Sequence, residues 1–166
     1  MKKLTRPAAL ILTLGLAACG NDGPTAPPRP LPAVAGSWGV QWLVQFERTR
    51  DGFSGSYYCW GTMTLSQSAT AGDSANLSGF TVIQSGCPQG TFDVSGSLRP
   101  DGTLTLATAG PRPNEGQCPV VEEARYAGQV SNNVFSARSE EIVNCPGPGE
   151  GEHRFNYVMT AYKTVN

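Results

Sequence analysis

Cysteine is the residue type whose number and spacing say most about the chemistry of this 166-residue chain. Apart from Cys19 in the N-terminal segment, the chain has four cysteines, Cys59, Cys87, Cys118 and Cys145, at intervals of about 27 to 31 residues. A structural zinc site needs close pairs such as Cys-x-x-Cys, and this spacing does not provide them. An even number of well-separated cysteines is typical of disulfides in an exported protein, because compartments outside the cytoplasm are oxidising. We therefore expect two disulfides and no bound metal.

Groups that could perform catalysis are few. His153 is the only histidine, and a nucleophile–base pair would need it beside an oriented serine or a free cysteine. The sequence contains no Gly-x-Ser-x-Gly, phosphate-binding or paired-histidine motif. The acidic pairs Glu122-Glu123, Glu140-Glu141 and Glu150/Glu152 lack the spaced carboxylates of a calcium loop, which favours a solvated surface. No cofactor is implied, and an enzyme is the least favoured of the functions considered.

The N-terminus has the layout of an export signal. Lys2, Lys3 and Arg6 precede a short apolar run that ends in Leu16-Ala17-Ala18-Cys19. This run is too short to span the ~30 Å hydrocarbon core, which takes about 20 apolar residues. Small residues at this position are typical of a signal-peptide cleavage site. The cysteine that follows them resembles the lipobox of bacterial lipoproteins, in which the cysteine is lipidated and becomes the mature N-terminus.

The resemblance to bacterial lipoproteins implies a location. Residues 1–18 become the signal peptide, Cys19 carries the lipid anchor, and the proline-rich residues 19–32 form a semi-extended tether. More than one acyl chain makes such anchoring stable, at ~0.8 kcal/mol per buried CH₂. Gly20 stands where an aspartate would indicate inner-membrane retention in enteric-type lipoproteins. The resemblance therefore implies the outer membrane, with the domain in the periplasm or at the cell surface.

The charge of the mature chain argues against a nucleic-acid partner. Loss of Lys2, Lys3 and Arg6 leaves nine basic and thirteen acidic residues, a net charge of about −4. Lys163 is then the only lysine, and the arginines are scattered, whereas a nucleic-acid footprint needs clustered basic residues. Residues 33–166 are enough for one domain with one core. We expect a monomer of this single domain.

Strand-period alternation dominates residues 33–166. Residues 38 to 46 place Trp38, Val40, Trp42, Val44 and Phe46 on one face. Seven further strands are predicted, at residues 57–66, 75–83, 90–98, 103–108, 120–128, 134–143 and 154–163. Turn signals at residues 99–102 and 131–133 favour hairpins, and no segment has a sustained helical period. We predict an all-β, eight-stranded antiparallel up-and-down (meander) barrel, with a two-sheet β-sandwich as the alternative.

The start of the first predicted strand adds a second resemblance. Gly36-Ser37-Trp38 matches the Gly-x-Trp motif that begins lipocalins and related calycins. In that family the tryptophan closes the narrow end of the barrel beneath a late cationic side chain, so the resemblance implies that Lys163 covers Trp38. The family's second motif and its C-terminal helix have no counterpart here, which indicates a lipocalin-like small barrel. Trp38 as an ordinary core aromatic is the alternative.

A meander brings the four cysteines to one end of the barrel, which we name the disulfide end. Cys87, Cys118 and Cys145 fall in the predicted turns 84–89, 110–119 and 144–152. Cys59 lies on the second strand, near the same end of the barrel as these turns. Adjacent strands lie ~4.8 Å apart, compatible with the Cα separation of ~5.5–6 Å that disulfides prefer. The strand order therefore predicts the pairs Cys59–Cys87 and Cys118–Cys145.

The predicted function follows from the barrel and its loops. An eight-stranded barrel is either filled by side chains or holds one small ligand. We predict a small or hydrophobic ligand at the disulfide end, with six inward candidates: Trp42, Phe46, Met63, Phe92, Tyr126 and Tyr157. The alternative is a protein-binding envelope module, an inhibitor or assembly factor, acting through the long loops of that end. Tyr58 and Trp60, opposite in direction to Tyr57, could contact a partner or pack in the core.

Overall fold

The computed structural model describes residues 30–69, 74–87, 89–110, 123–145 and 151–164. Within them the chain is all-β, and strand-period alternation along each segment produces eight strands. They are β1 (Gly36–Arg48), β2 (Phe53–Ala69), β3 (Ala75–Ser85), β4 (Gly90–Leu98), β5 (Thr103–Ala109), β6 (Glu123–Ser131), β7 (Val134–Cys145) and β8 (Gly151–Lys163). The described part of the chain contains no helix with the length and hydropathy of a membrane span.

The strands form a closed barrel in sequence order. Each strand pairs antiparallel with the next, and β8 pairs with β1 to close the sheet. The closing register runs from the pair Trp38 and Lys163 to the pair Arg48 and His153. The predicted eight-stranded meander barrel is therefore confirmed, and the two-sheet sandwich is wrong.

The hairpin between β1 and β2 is longer than the sequence predicts. The predicted strands at residues 38–46 and 57–66 leave a broad turn between them, but β1 continues to Arg48 and β2 begins at Phe53. The remaining turn is tight because Gly52 adopts a φ of 68° and the Asp51 carboxylate accepts a hydrogen bond of 3.1 Å from the Phe53 N–H. The hairpin therefore extends the inner wall at the disulfide end.

Side chains fill the barrel at the end opposite the disulfide end, which we name the closed end. Residues with at most 1 % exposure there are Trp38, Met63, Leu98, Leu104, Phe135 and Ala161. Val34, just before β1, is equally buried and its carbonyl oxygen accepts a 2.9 Å hydrogen bond from the Trp38 indole N–H. The segment before β1 thus plugs the closed end. Leu31 also packs against the core, so chain contact with the barrel starts slightly before the predicted domain boundary at residue 33.

Candidate ligand site at the disulfide end

A line of aromatic rings covers the inner wall near the disulfide end. Strand alternation points Phe46 of β1, Tyr57 of β2, and Phe155 and Tyr157 of β8 into the barrel. The ring centroids of Phe46 lie 6.3 Å from Tyr57 and 6.5 Å from Phe155, and those of Phe155 and Tyr157 lie 6.2 Å apart. We call these four residues the aromatic wall. Such spacings are those of rings in mutual contact.

Burial separates the aromatic wall from the closed end. All four rings of the wall face inward, yet each is only partly buried. Inward residues of the closed end, such as Trp38 and Met63, are fully buried. Because both sets belong to the same inner face, the difference means that solvent reaches the interior from the disulfide end. At the disulfide end the inner face is therefore accessible along β1, β2 and β8, whereas inward residues of β6 and β7 there, such as Ala124 and Cys145, are buried.

Gly55 explains the position of the Phe46 ring. Gly55 is directly opposite Phe46 in the β1–β2 register. A Cβ atom at Gly55 would lie 2.7 Å from the Phe46 Cζ atom, so the ring occupies the space above the glycine. This cross-strand arrangement, in which an aromatic ring covers a glycine, holds the ring in place against the wall.

The rim of the disulfide end carries a fixed charge pair. The Arg48 guanidinium donates to the Asp51 carboxylate at 2.6 Å and lies 5.4 Å from the centre of the Phe53 ring. The hydrogen bond from Arg48, followed by that from the Phe53 N–H, lowers the pKa of Asp51 below its usual value. Phe53 in turn lies 5.9 Å from Phe46. Arg48 is therefore positioned at the edge of the aromatic wall.

Polar groups also face the interior near the aromatic wall. Thr108, Ser139 and Glu141 are buried, with Glu141 only 8 % exposed, and Glu141 is paired in register with Phe155. The prediction that the Glu140-Glu141 pair lies on a solvated surface is wrong for Glu141. The physical reason is strand alternation, which points Glu140 outward and Glu141 into the barrel. This parity was the signal in the sequence that could have identified Glu141.

The six predicted ligand residues all face inward, but they occupy different depths. Phe46 and Tyr157 belong to the aromatic wall, and Tyr126 lies 6.4 Å from Tyr157. The four buried candidates, each at most 5 % exposed, are Trp42, Met63, Phe92 and Tyr126. Met63 is paired with Trp38 and belongs to the packed closed end. Met63 therefore faces inward as predicted but lies away from the mouth.

Trp38 and Lys163 make the contact that the lipocalin resemblance implied. They are direct partners in the β1–β8 register, and the Lys163 Nζ atom lies 5.8 Å from the Trp38 ring centre. The same ammonium donates a 2.9 Å hydrogen bond to the Ala33 carbonyl oxygen. Phe135 packs on the indole, with 5.0 Å between the ring centroids.

A disulfide joins Cys59 of β2 to Cys87 after β3, with 5.2 Å between their Cα atoms. This predicted pair is confirmed. The β2–β3 register shifts between Trp60 and Gly61, beside Cys59, and a Cβ atom at Gly61 would overlap the Val82 carbonyl oxygen. Because Trp60 is paired with Ser85 and Gly61 with Ile83, the extra residue of this bulge is Gln84 on β3.

Only one cysteine of the second predicted disulfide lies within the described residues. Cys145, at the end of β7, is buried and disulfide-bonded. Cys118 lies outside the described residues, as does Cys19 with the signal peptide and most of the tether. The pair Cys118–Cys145 and the lipidation of Cys19 therefore stay predictions.

A groove of about 430 Å³ lies across β7, β8 and β1. Most of its lining comes from outward residues such as Gln45, Arg138 and Glu140, but Ser139 and Tyr157 also contribute to it. Glu140 lies 3.4 Å from the Arg154 guanidinium. This charged and polar lining does not suit the hydrophobic ligand predicted for the interior.

Among the described residues, no three histidine, cysteine or acidic side chains are grouped as metal ligands would be. No protein-family model, curated protein or solved structure matches this sequence.

Proposed function

We propose that this protein is a lipid-anchored envelope lipoprotein whose barrel binds one small hydrophobic ligand at the disulfide end. The observation that carries the proposal is the partial exposure of the inward-facing aromatic wall. An apolar surface that solvent can reach from inside a barrel is a typical place for a small ligand. Covering about 200 Å² of it contributes on the order of 5 kcal/mol before the entropic costs of association.

The polar groups beside the aromatic wall give the proposed ligand an orientation. Ligand sites are mostly apolar, with a few placed polar groups that fix the ligand. Ser139 and Glu141 supply such groups on β7, and Tyr126 supplies a phenol on β6. We therefore expect a ligand with an apolar, ring-sized body and at least one polar group.

The proposed location rests on the lipobox and is supported by the disulfide. Leu16-Ala17-Ala18-Cys19 supplies the lipidation signal, and the Cys59–Cys87 bond fits an oxidising compartment. In this proposal the lipid on Cys19 keeps the barrel at the envelope membrane, and the ligand is captured there.

A fluorescent naphthylamine probe tests the ligand site. The wild-type protein should bind one probe per chain, and Phe155→Ala should weaken binding on the order of tenfold, since one lost aromatic contact costs about 1 kcal/mol or more. Phe80→Ala is the matched control, because Phe80 is an exposed ring on the outer surface. Circular dichroism checks that both variants keep the barrel.

Two outcomes would count against the ligand site. Equal loss of probe binding in Phe155→Ala and Phe80→Ala would mean that the probe binds the surface. No saturable binding to the wild-type protein would instead favour the alternative of a protein-binding envelope module.

A further inference from the structure

One side of the barrel lacks charge. β2 and β3 contain no charged residue, and β1 has none before Glu47. By contrast, the outward positions of β6 to β8 carry both signs, as in Arg125, Glu140 and Arg154. We name the outward surface of β1, β2 and β3, excluding Glu47, the neutral face. Apart from its apolar residues it is composed mainly of serine, threonine, glutamine and asparagine.

Large aromatic side chains project from the neutral face. Tyr58 and Trp60 on β2 are 46 % and 47 % exposed, and Phe80 on β3 is 44 % exposed. The rings of Tyr58 and Trp60 stack with their centroids 5.9 Å apart, and Leu43 lies opposite Tyr58 in the register. A single exposed apolar residue needs no explanation, but a group of them marks an interaction surface.

The N-terminal tether contacts the barrel on β2, the strand that carries Tyr58 and Trp60. The Val34 N–H donates a 2.9 Å hydrogen bond to the Gln67 Oε1 atom, and the Gln67 amide donates at 3.1 Å to the Pro32 carbonyl oxygen. Gln67 and Trp60 are both on β2, about 23 Å apart along the strand. From Cys19 to Pro30 the chain can extend at most about 40 Å. A bilayer holding a lipidated Cys19 is therefore within reach of the neutral face.

We infer that the neutral face lies against the lipid headgroups of the membrane that holds the anchor. Tryptophan and tyrosine favour the membrane interface, where the ring is apolar and its polar atom is wet. A face without carboxylates also meets no repulsion from anionic headgroups. The inference rests on the proposed lipid anchor, because the tether raises the local concentration of bilayer enough for a weak surface to bind.

Tryptophan fluorescence can test this contact with one residue. Trp60 is exposed, whereas Trp38 and Trp42 are at most 4 % exposed. The full-length lipidated protein is reconstituted into phosphatidylcholine vesicles with brominated acyl chains, which quench nearby indoles. We expect quenching in the wild type, its loss in Trp60→Phe, and its reduction in Phe80→Ser. Ile142→Ser is the matched control, because Ile142 is 56 % exposed on β7, and quenching should not change.

Flotation of the vesicles tests the lipid anchor separately from the contact between the neutral face and the headgroups. A protein that floats with the vesicles while Trp60 stays unquenched would overturn the inference and leave the anchor intact. A wild-type protein that does not float would overturn the anchor and, with it, the inference. Protection of Trp60 from aqueous acrylamide without quenching by brominated lipid would mean that another protein or a second copy covers the neutral face, which also overturns it.

Discussion

Lys163 connects three parts of the closed end. Its Nζ atom lies 5.8 Å from the Trp38 ring centre and donates to the Ala33 carbonyl oxygen. Its backbone N–H also donates to the Asn133 carbonyl oxygen in the β6–β7 turn. The lipocalin resemblance implied the side-chain contact with Trp38, and strand parity placed Lys163 among the inward residues of β8. The bond to Ala33 was not predictable, because no periodicity predicts where an irregular segment lies.

Substitution of Lys163 tests the closure of this end. Lys163→Met keeps the apolar stem but removes the ammonium, and we expect it to lower the free energy of unfolding by about 1–2 kcal/mol. Lys163→Arg should retain most of the stability, because it keeps a cation that can stack on the indole. Urea denaturation measures both. A Met variant as stable as the wild type would show that the cation contributes nothing to closure.

At the scale of strands, alternation predicted where most elements lie. β4 was predicted as residues 90–98 and forms over Gly90–Leu98, because its inward residues are consistently apolar or small. The predicted β2, residues 57–66, missed three residues at its end and four at its start, where Phe53-Ser54-Gly55-Ser56 has the composition of a turn. The cross-strand pairing of Gly55 with Phe46 keeps this segment in the strand, although its composition favours a turn. That contact comes from a neighbouring strand and leaves no local signal.

The candidate site was only partly predictable for the same reason. Parity correctly pointed the six aromatic and methionine candidates inward, but it does not give depth, which depends on the stagger of all eight strands. Met63 therefore differs from Phe46 in position although both face the interior. Glu141 was missed because a buried carboxylate is normally costly. Its inward position is imposed by the alternation of β7.

The Cys59–Cys87 bond should stabilise the β2–β3 hairpin at the element scale. It closes a loop with a sequence separation of 28 residues, and the chain-entropy relation gives roughly 3–4 kcal/mol for such a loop. We expect the double variant Cys59→Ser/Cys87→Ser to have a clearly lower melting temperature than the oxidised wild type. Reduced wild-type protein, which also loses the bond of Cys145, should melt no higher than the double variant. Equal melting temperatures for the double variant and the oxidised wild type would contradict this stabilisation.

The whole molecule has two different ends. The segment that leads to Cys19 joins at the closed end, through the bonds of Gln67 and Lys163 to residues 32–34. The aromatic wall and the Cys59–Cys87 bond lie at the other end. Chain attachment and the candidate ligand site therefore do not compete for space. The proposed anchor can hold the barrel at a membrane while the mouth stays accessible.

The proposed lipid anchor gives the prediction at the scale of the whole molecule. Cys19→Ser should abolish incorporation of labelled fatty acid and either release the protein from membranes or leave the signal uncleaved, because serine has no thiol to acylate. Gly20→Asp is the matched variant, because it keeps Cys19. It should retain the label but shift the protein to the inner membrane of a host with enteric-type sorting. Membrane fractionation with radiolabelled palmitate measures both properties. Undiminished label on the Cys19→Ser protein would reject lipidation at Cys19, and an unchanged location of Gly20→Asp would reject the predicted outer-membrane sorting.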